Sequence, residues 1–153
     1  MDCSSYDSAA IIRGQTWDWD CSAAATAWMG RSLGWGWVES DVAFEFVRAG
    51  IATPQLGLLD GTGAGIVRWL ALQPFEAWTQ RLAYSDVLEI TQNRPLIMGS
   101  TRWYHWCGVR SVGSDGTIQL ANSAPGWAGI FGTMSEAQFA AFGDFYAVIP
   151  TCD

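Results

Sequence analysis

Apolar positions follow two regimes along the chain. Residues 1–20 are mostly polar and broken by Gly14, which reads as a loop or short strand arriving at Asp20-Cys21. From Ser22 the run Ala23-Ala24-Ala25-Thr26-Ala27-Trp28-Met29 has high helix propensity and few breakers. It predicts a helix to about Leu33, stopped by Gly34. Gly34-Trp35-Gly36-Trp37 reads as a turn. A second helix is expected from Ser40 to Ala49, with Val42, Phe46 and Val47 on one side and Gly50 ending it. Asp60-Gly61-Thr62-Gly63 leads into a third, about Ala64–Leu72, where Ile66, Val67 and Leu70 face inward.

After Pro74 the pattern turns from helical to extended. A short strand is expected near Glu76–Thr79, then a helix from Ser85 to Gln92. Pro95-Leu96-Ile97-Met98-Gly99 reads as a buried strand, and Tyr104–Val112 as a second. Gly113-Ser114-Asp115-Gly116 turns it into a third, Thr117–Ala121. Thr133 and Glu136 have the spacing of a capping box opening a short helix that Gly143 closes, and Asp144–Ile149 is the last strand. Helices first and an antiparallel sheet second define an α+β fold, an N-terminal helical half packed on a C-terminal sheet. A cleft between the halves is the expected place for a site. With no repeat or linker, residues 1–153 read as one domain.

Composition narrows the function. Half of the residues are apolar and 15% are charged, which excludes a disordered or fibrous chain. Eight Arg, no Lys and fifteen acids give a net charge of −7, which argues against nucleic acid as partner and against a polybasic membrane anchor. No run of eighteen apolar residues is present to span a bilayer, and Met1-Asp2-Cys3-Ser4 opens no signal peptide. A cytoplasmic or phage-associated setting is therefore the default expectation. Arg, Ala, Gly and Trp without Lys fit the codon bias of a GC-rich bacterium or its phage. Cys3, Cys21, Cys107 and Cys152 form no CxxC pair, and one His makes zinc a poor fit. Cys3 and Cys152 lie near opposite ends, where a disulfide and free thiols both stay open.

Any mechanism that needs an imidazole has one candidate, His105. Cys21 opens the first predicted helix, where unpaired N–H groups and the positive end of the dipole favour a thiolate. An imidazolium beside it would lower the thiol pKa further. Asn122 ends the strand after the hairpin, so antiparallel pairing can bring its amide oxygen to the far ring nitrogen of His105. Gln15 lies six residues ahead of Cys21, and its side-chain N–H with the Cys21 backbone N–H is a candidate oxyanion hole.

Gln15…Asp20-Cys21-Ser22-Ala23-Ala24, His105-Trp106 and Asn122-Ser123 together resemble the papain-like cysteine peptidases, and within them the bacterial C39-like group. The resemblance spans nearly the whole chain. It implies a papain-like fold with Cys21 as nucleophile, His105 as general base and acid, Asn122 as orienter and Gln15 as oxyanion donor. Two positions depart from the bacterial group, which commonly has Gly after the nucleophile and Asp as third member; here they are Ser22 and Asn122. Asn is the papain-type choice. The activity implied is hydrolysis of a peptide or isopeptide bond through a Cys thioester, with a peptide or protein substrate such as cell-wall peptide and no metal or cofactor.

The rival reading is a non-catalytic papain-like module binding cell-wall peptide or a protein partner, which the Trp content and Ser22 would suit. Each residue also has a plainer role. Cys21 amid alanines can be a small buried hydrophobe, Asn122 a turn residue before Pro125-Gly126, and Gln15 an ordinary loop residue. Cys107 shares the strand parity of His105, with buried packing the expected role. Asp20 is expected to face solvent or pair with an Arg. Trp28 and Trp69 are expected in the core, whereas Trp17, Trp19, Trp103, Trp106 and Trp127 flank the candidate residues in sequence, most as packing and some as cleft wall.

Overall fold

The computed structural model describes residues 1–100, 102, 105–123 and 132–152. Helices α1 (Cys21–Ser32) and α2 (Glu39–Arg48) come first, followed by two short strands, β1 (Ala52–Thr53) and β2 (Gly57–Leu58), and helix α3 (Ala64–Leu72). Then follow β3 (Ala77–Arg81), α4 (Tyr84–Ile90), β4 (Leu96–Ser100), β5 (His105–Val112), β6 (Ile118–Ala121), β7 (Thr133–Met134), α5 (Glu136–Phe142) and β8 (Phe145–Pro150). Six strands form an antiparallel sheet in the order β3-β8-β4-β5-β6-β7, while β1 and β2 pair as a separate hairpin. The fold is α+β, and its elements fall within about two residues of the expected ones. The expected strand start at Tyr104, Trp103, Trp127 and Pro125-Gly126 lie outside the described residues.

Strand alternation divides the core in two. Ile97, Trp106 and Val148 join Trp28, Phe46, Ile66 and Trp69 in one cluster beneath α1, α2 and α3. Leu96, Met98, Cys107, Val109 and Ile149 join Val87 and Phe139 in a second cluster on the opposite face, which α4 and α5 cover. Because both faces are covered, β4 is buried along its whole length.

Helix α1 is buried over Ser22–Gly30, which its small alanines permit. Trp28 lies on β5 where Gly108 offers no side chain; a Cβ there would fall inside the indole ring. The same complementarity repeats where Trp106 covers Gly99. Trp28 Nε1–H donates to the Ala10 carbonyl at 3.1 Å, and Arg110 on β5 donates to the same oxygen at 2.6 Å with its guanidinium 5.8 Å from the Trp28 ring. The N-terminal segment is thereby fastened over the seam between α1 and β5. Its start is tied as well: Cys3 and Cys152 form a disulfide with Cα atoms 5.6 Å apart, and Tyr6 Oη lies 2.9 and 2.8 Å from the carbonyls of Thr91 and Arg110.

Three details differ from the sequence expectation. Thr133 does not cap α5, because it pairs with Gln119 in β7; the capping box is Ser135 with Gln138, their side chains accepting from each other's backbone N–H at 3.1 and 2.8 Å. The β1–β2 hairpin has strands of two residues each, too short to leave a period in the sequence. Trp35 and Trp37, read as part of a turn, pack with Phe75, and Trp37 also sets its edge to Trp69.

Gly108→Ala is expected to lose about 1–3 kcal/mol in urea unfolding, since the extra carbon must displace a buried indole. Cys152→Ser opens a loop with a sequence separation of 149 and is expected to lower stability by about 2–5 kcal/mol, read the same way without reductant.

Candidate active site

The site forms where three strand ends and one helix start meet. Ser100 ends β4 opposite His105, which starts β5. β6 runs antiparallel to β5, so Asn122, just beyond its end, falls at the same edge of the sheet. Cys21, the first residue of α1, opens onto a cleft of about 360 Å³ lined also by Asp18, Trp19, Ser100, His105, Trp106 and the β1–β2 hairpin region from Pro54 to Leu59. Trp19 and Trp106 thus stand in the cleft wall, while Trp28 and Trp69 are buried in the core.

His105 is buried, and its Nε2 lies 2.8 Å from Asn122 Oδ1. An amide oxygen only accepts, so Nε2 carries the proton and Nδ1 the lone pair in the neutral ring. Burial lowers the His105 pKa from its usual 6.5, and the bond to Asn122 opposes the shift. The resting imidazole is therefore neutral through the neutral pH range.

The Cys21 thiol departs from the expectation of a helix-stabilised thiolate. Burial pushes its pKa up from the usual 9.0; the backbone N–H groups of Trp106 and Ser22 pull the other way, and the charge of Asp20 raises it further. Desolvation by the surrounding core outweighs the dipole of the helix start. Contact with the Trp106 amide sets the sulfur beside the first residues of β5, immediately after His105. Resting Cys21 and His105 are thus a neutral thiol and a neutral base. Cys107 points to the face of the sheet away from α1, fully buried, and burial first and the Cys21 charge second push its thiol strongly upward.

Gln15 is buried and held at three atoms. Its backbone N–H donates to the Ser123 carbonyl at 3.0 Å, its Oε1 accepts from Ser123 Oγ at 3.0 Å, and its Nε2 donates to the Trp17 carbonyl at 2.6 Å. Gln15 is thereby fixed to the residue that follows Asn122 in the chain, although it is not among the residues lining the cleft. Asp20 neither faces solvent nor seeks an Arg: it is buried, and its carboxylate accepts from the backbone N–H groups of Thr16 and Trp17 at 3.2 and 3.1 Å. Sequence reasoning missed Asp20, Ser123, Ser100 and the hairpin wall. The Asp20 position between a polar loop and a helix start was the one available signal, and it points equally well to an ordinary helix cap.

No family model matches the sequence, and no curated protein matches it. Solved structures do share the fold. A double glycine motif protease from an AMS/PCAT transporter, solved in complex with the leader peptide, aligns with a TM-score of 0.65 at 16% identity over 92% of this chain and 91% of its own. The peptidase domain of Streptococcus ComA, a bi-functional ABC transporter involved in a quorum-sensing pathway, aligns with a TM-score of 0.69 at 17% identity over 93% of this chain and 99% of its own. The chain therefore has the papain-like fold of C39-type peptidase domains. Among the described residues no helix is long and apolar enough to cross a membrane.

With the thiol pKa raised, alkylation of Cys21 by iodoacetamide is expected to climb with pH and reach its midpoint above 9.0. Cys21 should be modified ahead of the more deeply buried Cys107, both followed by mass spectrometry of tryptic peptides.

Proposed function

We propose that the chain is a cysteine peptidase or amidase that hydrolyses a peptide or isopeptide bond through a thioester on Cys21. The observation that carries this reading is that Cys21 and His105 open onto one cleft, with the imidazole held from behind by Asn122 at 2.8 Å. A cleft at the thiol favours catalysis over the binding-module alternative. The neighbour solved with a leader peptide supports a peptide as substrate. Trp19, Leu58 and Trp106 give the cleft apolar wall for its side chains.

The chemistry starts from neutral partners. As Cys21 Sγ bonds to the carbonyl carbon, its proton passes to His105 Nδ1 and the C=O π electrons move onto oxygen. The Cys21 backbone N–H and the Gln15 side-chain N–H receive that negative oxygen. Collapse restores C=O and breaks the C–N bond; the amine leaves with the proton His105 had taken, and the acyl group remains on sulfur. Water then gives a proton to His105 and attacks the thioester, and the expelled sulfur recovers a proton from the imidazolium. Asn122 keeps the ring in one orientation throughout, because Nε2–H stays committed to its oxygen.

The test is a peptide-library cleavage screen read by mass spectrometry. Wild-type protein is expected to cleave a subset of peptides, Cys21→Ala none, and His105→Ala the same subset at a rate lower by about 10²–10⁴-fold. Full cleavage by Cys21→Ala would end this reading. Zymography on cell walls decides whether cell-wall peptide is among the substrates.

A further inference from the structure

We propose that Asp20 and Ser123 are positioning residues that aim the Gln15 side-chain amide at the oxyanion formed on Cys21. This rests on the reading of Gln15 as oxyanion donor given above. It adds how a loop side chain is made rigid enough to serve.

The amide of Gln15 has one acceptor oxygen and two N–H donors. The oxygen is taken by Ser123 Oγ–H and one N–H by the Trp17 carbonyl, which leaves a single N–H to be directed. The orientation is forced by Trp17: rotating the amide by half a turn would set its oxygen against the Trp17 carbonyl, acceptor against acceptor. Trp17 is itself anchored, since its backbone N–H and that of Thr16 both donate to Asp20. Asp20 therefore holds the residue whose carbonyl, one peptide unit further on, binds Gln15, and Ser123 holds Gln15 from the other side. Asn122, one residue earlier, holds His105. Neighbouring residues 122 and 123 thus set the base and the oxyanion donor in one frame.

Two features show that Asp20 is not simply capping α1. It occupies the N-cap position yet makes no side-chain cap hydrogen bond, its carboxylate being turned back to the loop. Its charge also works against a thiolate on the adjacent Cys21, so the carboxylate does not serve to activate the sulfur.

The experiment compares two reagents on intact protein. Iodoacetamide alkylates Cys21 without using an oxyanion hole, and its rate reads the thiol. The aldehyde acetylglycinal adds reversibly to the sulfur: the S–H proton passes to His105, the S–C bond forms, the C=O π electrons move onto oxygen, and that oxygen takes the oxyanion position, so its dissociation constant reads the hole. Gln15→Ala should weaken aldehyde binding by about 100-fold, at the lower end for loss of an oxyanion donor. Ser123→Ala and Asp20→Asn should each weaken it by roughly tenfold, less than outright removal of the donor. Iodoacetamide rates should be unchanged for Ser123→Ala and unchanged or faster for Asp20→Asn. Ser123→Thr should restore aldehyde binding, and Ser123→Ala should cost nothing further in a Gln15→Ala background. Wild-type aldehyde affinity in Ser123→Ala and Asp20→Asn, with Gln15→Ala impaired, would overturn the positioning role and leave the Gln15 reading standing. Equal losses in both reagents would also overturn it, as general loosening of the fold. Undiminished aldehyde binding in Gln15→Ala would overturn the Gln15 reading itself, and the proposal with it.

Discussion

The seat of Trp28 on Gly108 is the contact on which the site depends. Seven residues of helix separate Cys21 from Trp28, about 10 Å at 1.5 Å per residue. Three residues of strand separate His105 from Gly108, again about 10 Å. Two arms of equal length run from one contact, and the thiol and the imidazole arrive at the same edge. A bulkier residue at 108 would meet the Trp28 indole, so this glycine lets the helix lie close on the strand that begins at His105. The same indole binds the Ala10 carbonyl, five residues before Gln15, and so ties the segment leading to Gln15 to the same contact.

Burial, rather than formal charge, governs the electrostatics around these groups. The chain carries a net charge of −7, yet the acid buried beside Cys21 is Asp20, whose carboxylate accepts from two backbone N–H groups. Thiol and imidazole both lie in surroundings that favour their uncharged forms. On the proposed mechanism the ion pair would belong to the reaction, made when the proton moves, and the fixed donors would face charge only as it develops.

The sequence revealed what recurs or what has few alternatives. The alanine run defined α1, alternation and turn residues defined β4 to β6, and a single His left one base to place. Pairing of antiparallel strands was enough to put Asn122 within reach of that His, since strand ends are brought together by topology alone. Contacts between particular distant partners left no such trace. Ser123 with Gln15 spans 108 residues, and the fit of Trp28 to Gly108 is a matter of shape, for which no spacing rule exists. The thiol was misjudged for a related reason: a helix start is visible in a sequence, whereas the depth at which it is buried is a property of the packed whole. The Trp and Gly contents are also linked through packing, because flat rings need places without side chains to lie on.

The Cys3–Cys152 bond has a consequence for how the molecule survives proteolysis. It makes the polypeptide between those residues a covalently closed ring. One cut in an exposed turn, such as that around Gly34 or Gly116, opens the ring without releasing a fragment. The two halves of a nicked molecule stay tethered at residues 3 and 152, beside the strap that joins helix to sheet, and can close again on the same core. A second break is needed before any piece can diffuse away.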